Sequence, residues 1–133
     1  MVEPLFRKVD CIRLYVPDLE AGLTFYRDQL GHPLIWRTEH EAGLRLADSE
    51  AELVLQTERP GLEVNITVQS ADEAAARWVA LGGEVIAGPF DIRIGRCVVV
   101  RDPWGNPLVL LDTSKGLLVT DEEGNVIGNE PPG

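Results

Sequence analysis

An internal repeat constrains this chain more than any other feature. Val9 to Gly31, VDCIRLYVPDLEAGLTFYRDQLG, reads as a strand, a turn, a helix and a glycine stop. Leu62 to Ile86, LEVNITVQSADEAAARWVALGGEVI, reads the same way. A shift of 52 positions carries Val16 onto Val68 and Gly31 onto Gly83. It also carries Leu19, Leu23 and Tyr26 onto Ala71, Ala75 and Trp78, and Cys11 onto Glu63. A strand, a helix and a glycine stop in matching order argue for a duplication. Two copies are too few for a solenoid, so the natural reading is a domain of two paired modules.

Within each copy the strand alternates. Ile12, Leu14 and Val16 share one face, with Cys11, Arg13 and Tyr15 on the other; Val64, Ile66 and Val68 oppose Glu63, Asn65 and Thr67. Asp18 is placed to cap a helix starting at Leu19, whose buried stripe would be Leu19, Leu23, Tyr26 and Leu30. Gly31 and Pro33 stop that helix, and Gly82 and Gly83 stop the second. Short strand-like runs follow each helix. In the first half they are PLIWRTE, GLRLAD and ELVLQT, with HEAG as the hairpin turn. In the second half they are EVIAG, RCVVVRD and PLVLLD, the last two separated by the turn DPWGNP.

The fold class is therefore α+β, with two βαβββ modules in a mixed sheet. One domain is expected over 1–115, with modules spanning about 7–58 and 62–113, and TERPG linking them. Residues 116–133 read as a C-terminal hairpin around Glu123-Gly124-Asn125, able to cap a sheet edge or reach a partner, with NEPPG as a frayed end.

Charge and cysteine content narrow the function. A net charge of −10 sets the surface against phosphate backbones and anionic lipid, so neither nucleic acid nor membrane is an expected partner. Two cysteines are too few for a disulfide scaffold, and the first residues, MVEPLFRKVD, lack a signal-like apolar run. A cytoplasmic protein with free thiols is the expectation.

VPDLEAGLTFYRDQLG and VRDPWGNPLVLLD resemble the two signatures of the vicinal oxygen chelate superfamily, which includes glyoxalases, bleomycin-resistance proteins and extradiol dioxygenases. The match runs from about Val9 to Asp112, with Phe25-Tyr26, Leu30-Gly31 and DPWGN as its most typical elements. The resemblance implies that the sheet curls into a cup with the helices outside. Ile12, Leu14, Leu53, Leu55, Val64 and Ile66 would then seat the helices. Cys11, Arg13, Tyr15, Val54, Gln56, Glu63, Asn65, Thr67, Val109 and Leu111 would line the cup, and Trp36 falls on one strand face or the other. A homodimer is implied as well.

Metal-using members of that family place His or Glu on the first and last strand of each module. The corresponding positions here are Cys11, Val54, Glu63 and Val109. Two valines cannot donate to a metal, and Cys plus Glu leave a divalent ion short of ligands, so no metal and no other cofactor is expected. His32 and His40 read as loop residues without a second ligand at useful spacing. The reading is a metal-free cup that binds a small molecule, with a cationic drug or metabolite suited to the acidic chain and to stacking on Tyr15, Trp36 or Trp104. Glu63 is the candidate general base, against the alternative that it pairs with Arg13. Cys11 is a candidate nucleophile or structural filler. A metal-dependent glyoxalase-like lyase or dioxygenase, and a non-catalytic regulatory or subunit module, are the alternatives.

Overall fold

In the computed structural model, which describes residues 2–131, the repeat is visible in the order of elements. The first module comprises β1 (Lys8–Tyr15), α1 (Leu19–Leu23, continued as a wider helical turn over Thr24–Gln29), β2 (Leu34–Arg37), β3 (Glu41–Arg45) and β4 (Glu52–Gln56). The second comprises β5 (Glu63–Thr67), α2 (Ala71–Ala80), β6 (Glu84–Ile92), β7 (Gly95–Arg101) and β8 (Pro107–Leu111). A C-terminal hairpin of β9 (Leu117–Thr120) and β10 (Val126–Glu130) stands as a separate two-stranded sheet. The eight module strands form one mixed sheet in the order β2-β3-β4-β1-β5-β8-β7-β6. β1 runs parallel to β4 and β5 parallel to β8, while β1 and β5 pair antiparallel and join the modules.

Both helices start on side-chain caps. Asp18 accepts from the backbone N–H of Ala21 at 3.0 Å, and Ser70 accepts from that of Glu73 at 3.2 Å. They end differently. The left-handed glycine that closes the first is Gly31 (φ 88°), thirteen positions after its cap; in the second it is Gly82 (φ 94°), twelve after. The structural partner of Gly31 is thus Gly82, not the Gly83 given by a uniform shift. The extra residue is absorbed where the N–H of Leu30 bonds to the carbonyl of Phe25, five residues back, at 3.0 Å. That wider turn also rotates Leu30 out of the buried stripe, leaving it 53% exposed.

Two apolar clusters hold the helices to the sheet. Leu19 and Leu23 of α1 pack with Ala42, Leu44 and Leu55, edged by Leu14, Val16, Tyr26 and Leu53. Ala71, Ala74 and Ala75 of α2 pack with Val68, Val98, Val100 and Leu110, edged by Ile66 and Trp78. Ile12 and Val64, expected under the helices, are in neither cluster, and Ile12 is 37% exposed. They face each other across the β1–β5 seam. α1 packs on β3 and β4, and α2 on β6, β7 and β8, so neither helix covers that seam.

Two further expectations shift. The first hairpin turn is Thr38–His40 rather than HEAG, because Glu41, Ala42 and Gly43 already belong to β3. Of NEPPG, Asn129 and Glu130 pair within β10, while Pro132 and Gly133 lie outside the described residues. The tip of the C-terminal hairpin caps an edge of the sheet. Gly124 packs on Leu34, and its carbonyl accepts from the N–H of Arg37 at 2.7 Å, which occupies part of the open side of β2.

Candidate functional site: the inner face of the sheet

Strand register gathers the expected cup residues into adjacent rows. One row runs Gly43, Val54, Arg13, Glu63 across β3, β4, β1 and β5. The next runs Glu52, Cys11, Asn65, Val109 across β4, β1, β5 and β8. Tyr15 lies opposite Gln56 on one side of these rows, and Thr67 opposite Leu111 on the other. Cys11, Val54, Gln56, Asn65, Thr67 and Leu111 are buried; Tyr15 is partly open at 38% exposure. Cys97 on β7, paired with Leu111, joins this face and is buried as well.

Arg13 is the hub. Its guanidinium donates to the carboxylate of Glu41, and its Nε lies 3.5 Å from Oε2 of Glu63. Glu63 is also 3.2 Å from Nη2 of Arg59. Burial works against the Arg13 charge, but Glu41 and Glu63 outweigh it and hold its pKa above the ordinary value. Glu63 therefore stands between two guanidinium groups. Gln56 is committed to the linker: its Oε1 accepts from the N–H groups of Glu58 and Arg59 at 2.9 Å each, and its Nε2 donates to the Arg59 carbonyl. That side chain ties the linker down beside the rows. Thr67 is likewise occupied, donating to the Lys8 carbonyl at 3.2 Å.

Trp36 resolves onto the cup side. Its indole lies directly over Gly43, where a Cβ would come within 2.1 Å of Nε1, and Nε1 donates to Oε1 of Glu52 at 2.6 Å. Burial raises the Glu52 pKa despite that bond, and nearby Asp10 raises it further. Burial also raises the pKa of Asp10 itself, which sits at a register shift in β1. Cys11 lies next to Asp10; burial and that carboxylate push its thiol far above the ordinary value. A thiol so disfavoured as thiolate is a poor nucleophile.

Cys11, Val54, Glu63 and Val109, the positions that the resemblance assigns to metal ligands, fall in these two rows, but they do not make a donor set. Among the described residues, no three His, Cys, Asp or Glu side chains stand where they would hold a metal ion. Asp112, the acid just after β8, accepts from the N–H groups of Ala71 and Arg96 at 2.8 and 2.9 Å. Its work is structural. His32 is half-buried and His40 exposed, both on loops, and Trp104 is 84% exposed in its turn. A separate open groove of about 390 Å³ lies beside α2, lined mainly by Leu5, Phe6, Trp78, Leu81 and Pro103, with Arg77 as its charged group. It lacks the converging polar groups found on the inner face.

Sequence reasoning missed Glu41, Glu52, Asp10, Arg59 and Cys97. Placing the hairpin turn two residues earlier would have revealed Glu41, because Glu41, Gly43 and Arg45 then alternate against buried Ala42 and Leu44.

A family model described as Glyoxalase/Bleomycin resistance protein/Dioxygenase superfamily matches residues 8–110. The chain belongs to this family. A relative in Mycobacterium tuberculosis, named as a glyoxylase, CFP32, is 39% identical over 67 residues. That match covers 47% of this chain and only 26% of the relative. Methylmalonyl-CoA epimerase from the same organism superposes with a TM-score of 0.67 at 18% identity, over 84% of this chain and 91% of its own. An extradiol ring-cleaving dioxygenase from B. fuscum superposes with a TM-score of 0.64 at 26% identity, over 83% of this chain and 33% of its own. These superpositions show a shared fold. Among the described residues, no helix is long and apolar enough to cross a membrane.

Proposed function

We propose that this family member binds a small molecule on the inner face of its sheet without a metal ion. The observation that carries the reading is the pair of valines, Val54 and Val109, at two of the four positions where metal-using relatives keep donors. The remaining two positions are no freer: Cys11 is a buried thiol, and Glu63 is already neutralised by Arg13 and Arg59. Apolar Val54, Val109 and Leu111 next to Arg13, Asn65 and Tyr15 supply the mixed lining of a ligand site. In this reading Glu63 sets charge rather than abstracting protons. A cytoplasmic location and a homodimer complete the proposal. Ile12, 37% exposed at the uncovered seam, offers apolar surface for a second copy.

The names of the similar proteins keep metal-dependent lyase and dioxygenase chemistry as the competing outcome. The test is to assay chelator-treated protein, and protein supplied with zinc, nickel, manganese or iron(II), against a hemithioacetal and a catechol. No turnover in any arm is expected. Metal-dependent turnover of either compound would overturn the proposal.

A further inference from the structure

Two buried donors on this inner face make no hydrogen bond: Nδ2 of Asn65, and Nε of Arg13, whose ion-pair partner Glu63 stands off at 3.5 Å. Asn65 is only 6% exposed, and its register partners are Cys11 on one side and Val109 on the other, neither with a side-chain oxygen. Arg13 stands on the adjacent strand, one row away. A buried donor without an acceptor is costly, of order 1–3 kcal/mol, and native proteins rarely leave two together. Here they occur on neighbouring strands, one row apart.

Resting on the small-molecule reading above, we infer that Arg13 Nε and Asn65 Nδ2 receive the oxygen of a neutral carbonyl compound, such as an amide, ester or ketone. The existing pairs and the unpartnered donors select neutrality. Arg13 and Arg59 are already paired with Glu41 and Glu63, and Glu52 adds a further carboxyl group in the next row. An anion would find no free cation in this partly buried set, and a cation would meet two N–H donors that it cannot bond. A carbonyl oxygen accepts both N–H groups at no such cost and leaves its apolar body against Val54, Val109 and Leu111. The inference reverses the cationic ligand that the overall acidity suggests, because the groups left without partners here are donors.

The experiment uses propionamide, propionate and propylammonium, which match in size and differ in charge. Each is titrated into ¹⁵N-labelled full-length protein while the Asn65 side-chain NH₂ and Arg13 Nε–H signals are followed. Propionamide is expected to shift both signals, and the two ions to shift neither at equal concentration. Asn65→Leu should weaken propionamide binding about tenfold, the loss of one or two hydrogen bonds, without lowering the melting temperature, because it removes an unpaired buried donor. If propylammonium or propionate shifts the Val54 and Val109 signals more than propionamide does, the neutral-carbonyl inference falls and small-molecule binding stands. If no probe moves any inner-face signal, the inference falls together with the reading beneath it. Propionamide binding that Asn65→Leu leaves unchanged would also overturn it.

Discussion

The Nε of Arg13 lies 3.5 Å from Oε2 of Glu63, and the two residues face each other in the register that joins the modules. The carboxylate that a metal-using relative would turn toward an ion is turned toward a guanidinium here. Arg13 also binds Glu41, so its two partners are not equivalent: Glu41 accepts a direct hydrogen bond, while Glu63 contributes a looser ion pair shared with Arg59. Glu41→Gln should therefore destabilise more than Glu63→Gln, by about 2 kcal/mol against about 1, since losing a hydrogen-bonded charge partner costs more than losing a shared one. Urea denaturation of both variants checks the order; an equal or reversed order contradicts the hub assigned to Arg13.

Asp112 and Glu52 should respond to pH with opposite signs. Burial raises the pKa of Asp112, but the N–H groups of Ala71 and Arg96 and the Ser114 hydroxyl outweigh it, so its net pKa in the fold is below the ordinary 3.8. A depressed carboxyl contributes stability that is present above the unfolded value and lost as pH falls through the folded one. The gap between wild type and Asp112→Asn should narrow as pH drops below about 4. For Glu52 the folded pKa is raised above 4.5, so its ionisation costs stability as pH rises through the folded value. Relative to wild type, Glu52→Gln should gain stability as pH rises above about 4.5. Melting temperatures across that range are the measurement.

Gly43 is a packing requirement rather than a flexible joint. A methyl there would meet the Trp36 indole at 2.1 Å. Gly43→Ala should tilt the ring, break its bond to Glu52 and cost roughly 1–3 kcal/mol, the usual range for overpacking. A shift in tryptophan emission should accompany the loss. A silent substitution would show that the indole lies elsewhere.

Both thiols should be inert in the folded protein. Cys11 and Cys97 are 4% and 6% exposed, and burial raises both pKa values. Iodoacetamide at pH 8 should label neither within the time that fully labels both in guanidinium, since the thiolate is the reacting form. Rapid labelling of native Cys11 would restore it as a candidate nucleophile.

The fold was legible because the repeat encodes it twice. Strand alternation, the cap at Asp18 and the glycines after each helix are local signals, and all are present in the structure. The one-residue difference between the helices escaped because a wider turn leaves no mark in apolar spacing until Leu30 falls out of phase. The seam at Ile12 and Val64 escaped for another reason: alternation tells which face a residue is on, but not whether a helix reaches it. On the inner face, the row of Cys11, Asn65 and Val109 follows from strand order. The links from Arg13 to Glu41 and from Trp36 to Glu52 depend on which strands become neighbours across 28 and 16 residues, which no local pattern reports.

Metal stoichiometry tests the central claim most directly. Protein purified without chelator, then titrated with zinc, nickel, manganese and iron(II), should contain well under one equivalent of any of them. None should shift the signals of Cys11, Val54, Glu63 or Val109. One tightly held equivalent whose binding is lost in Glu63→Gln would contradict the account.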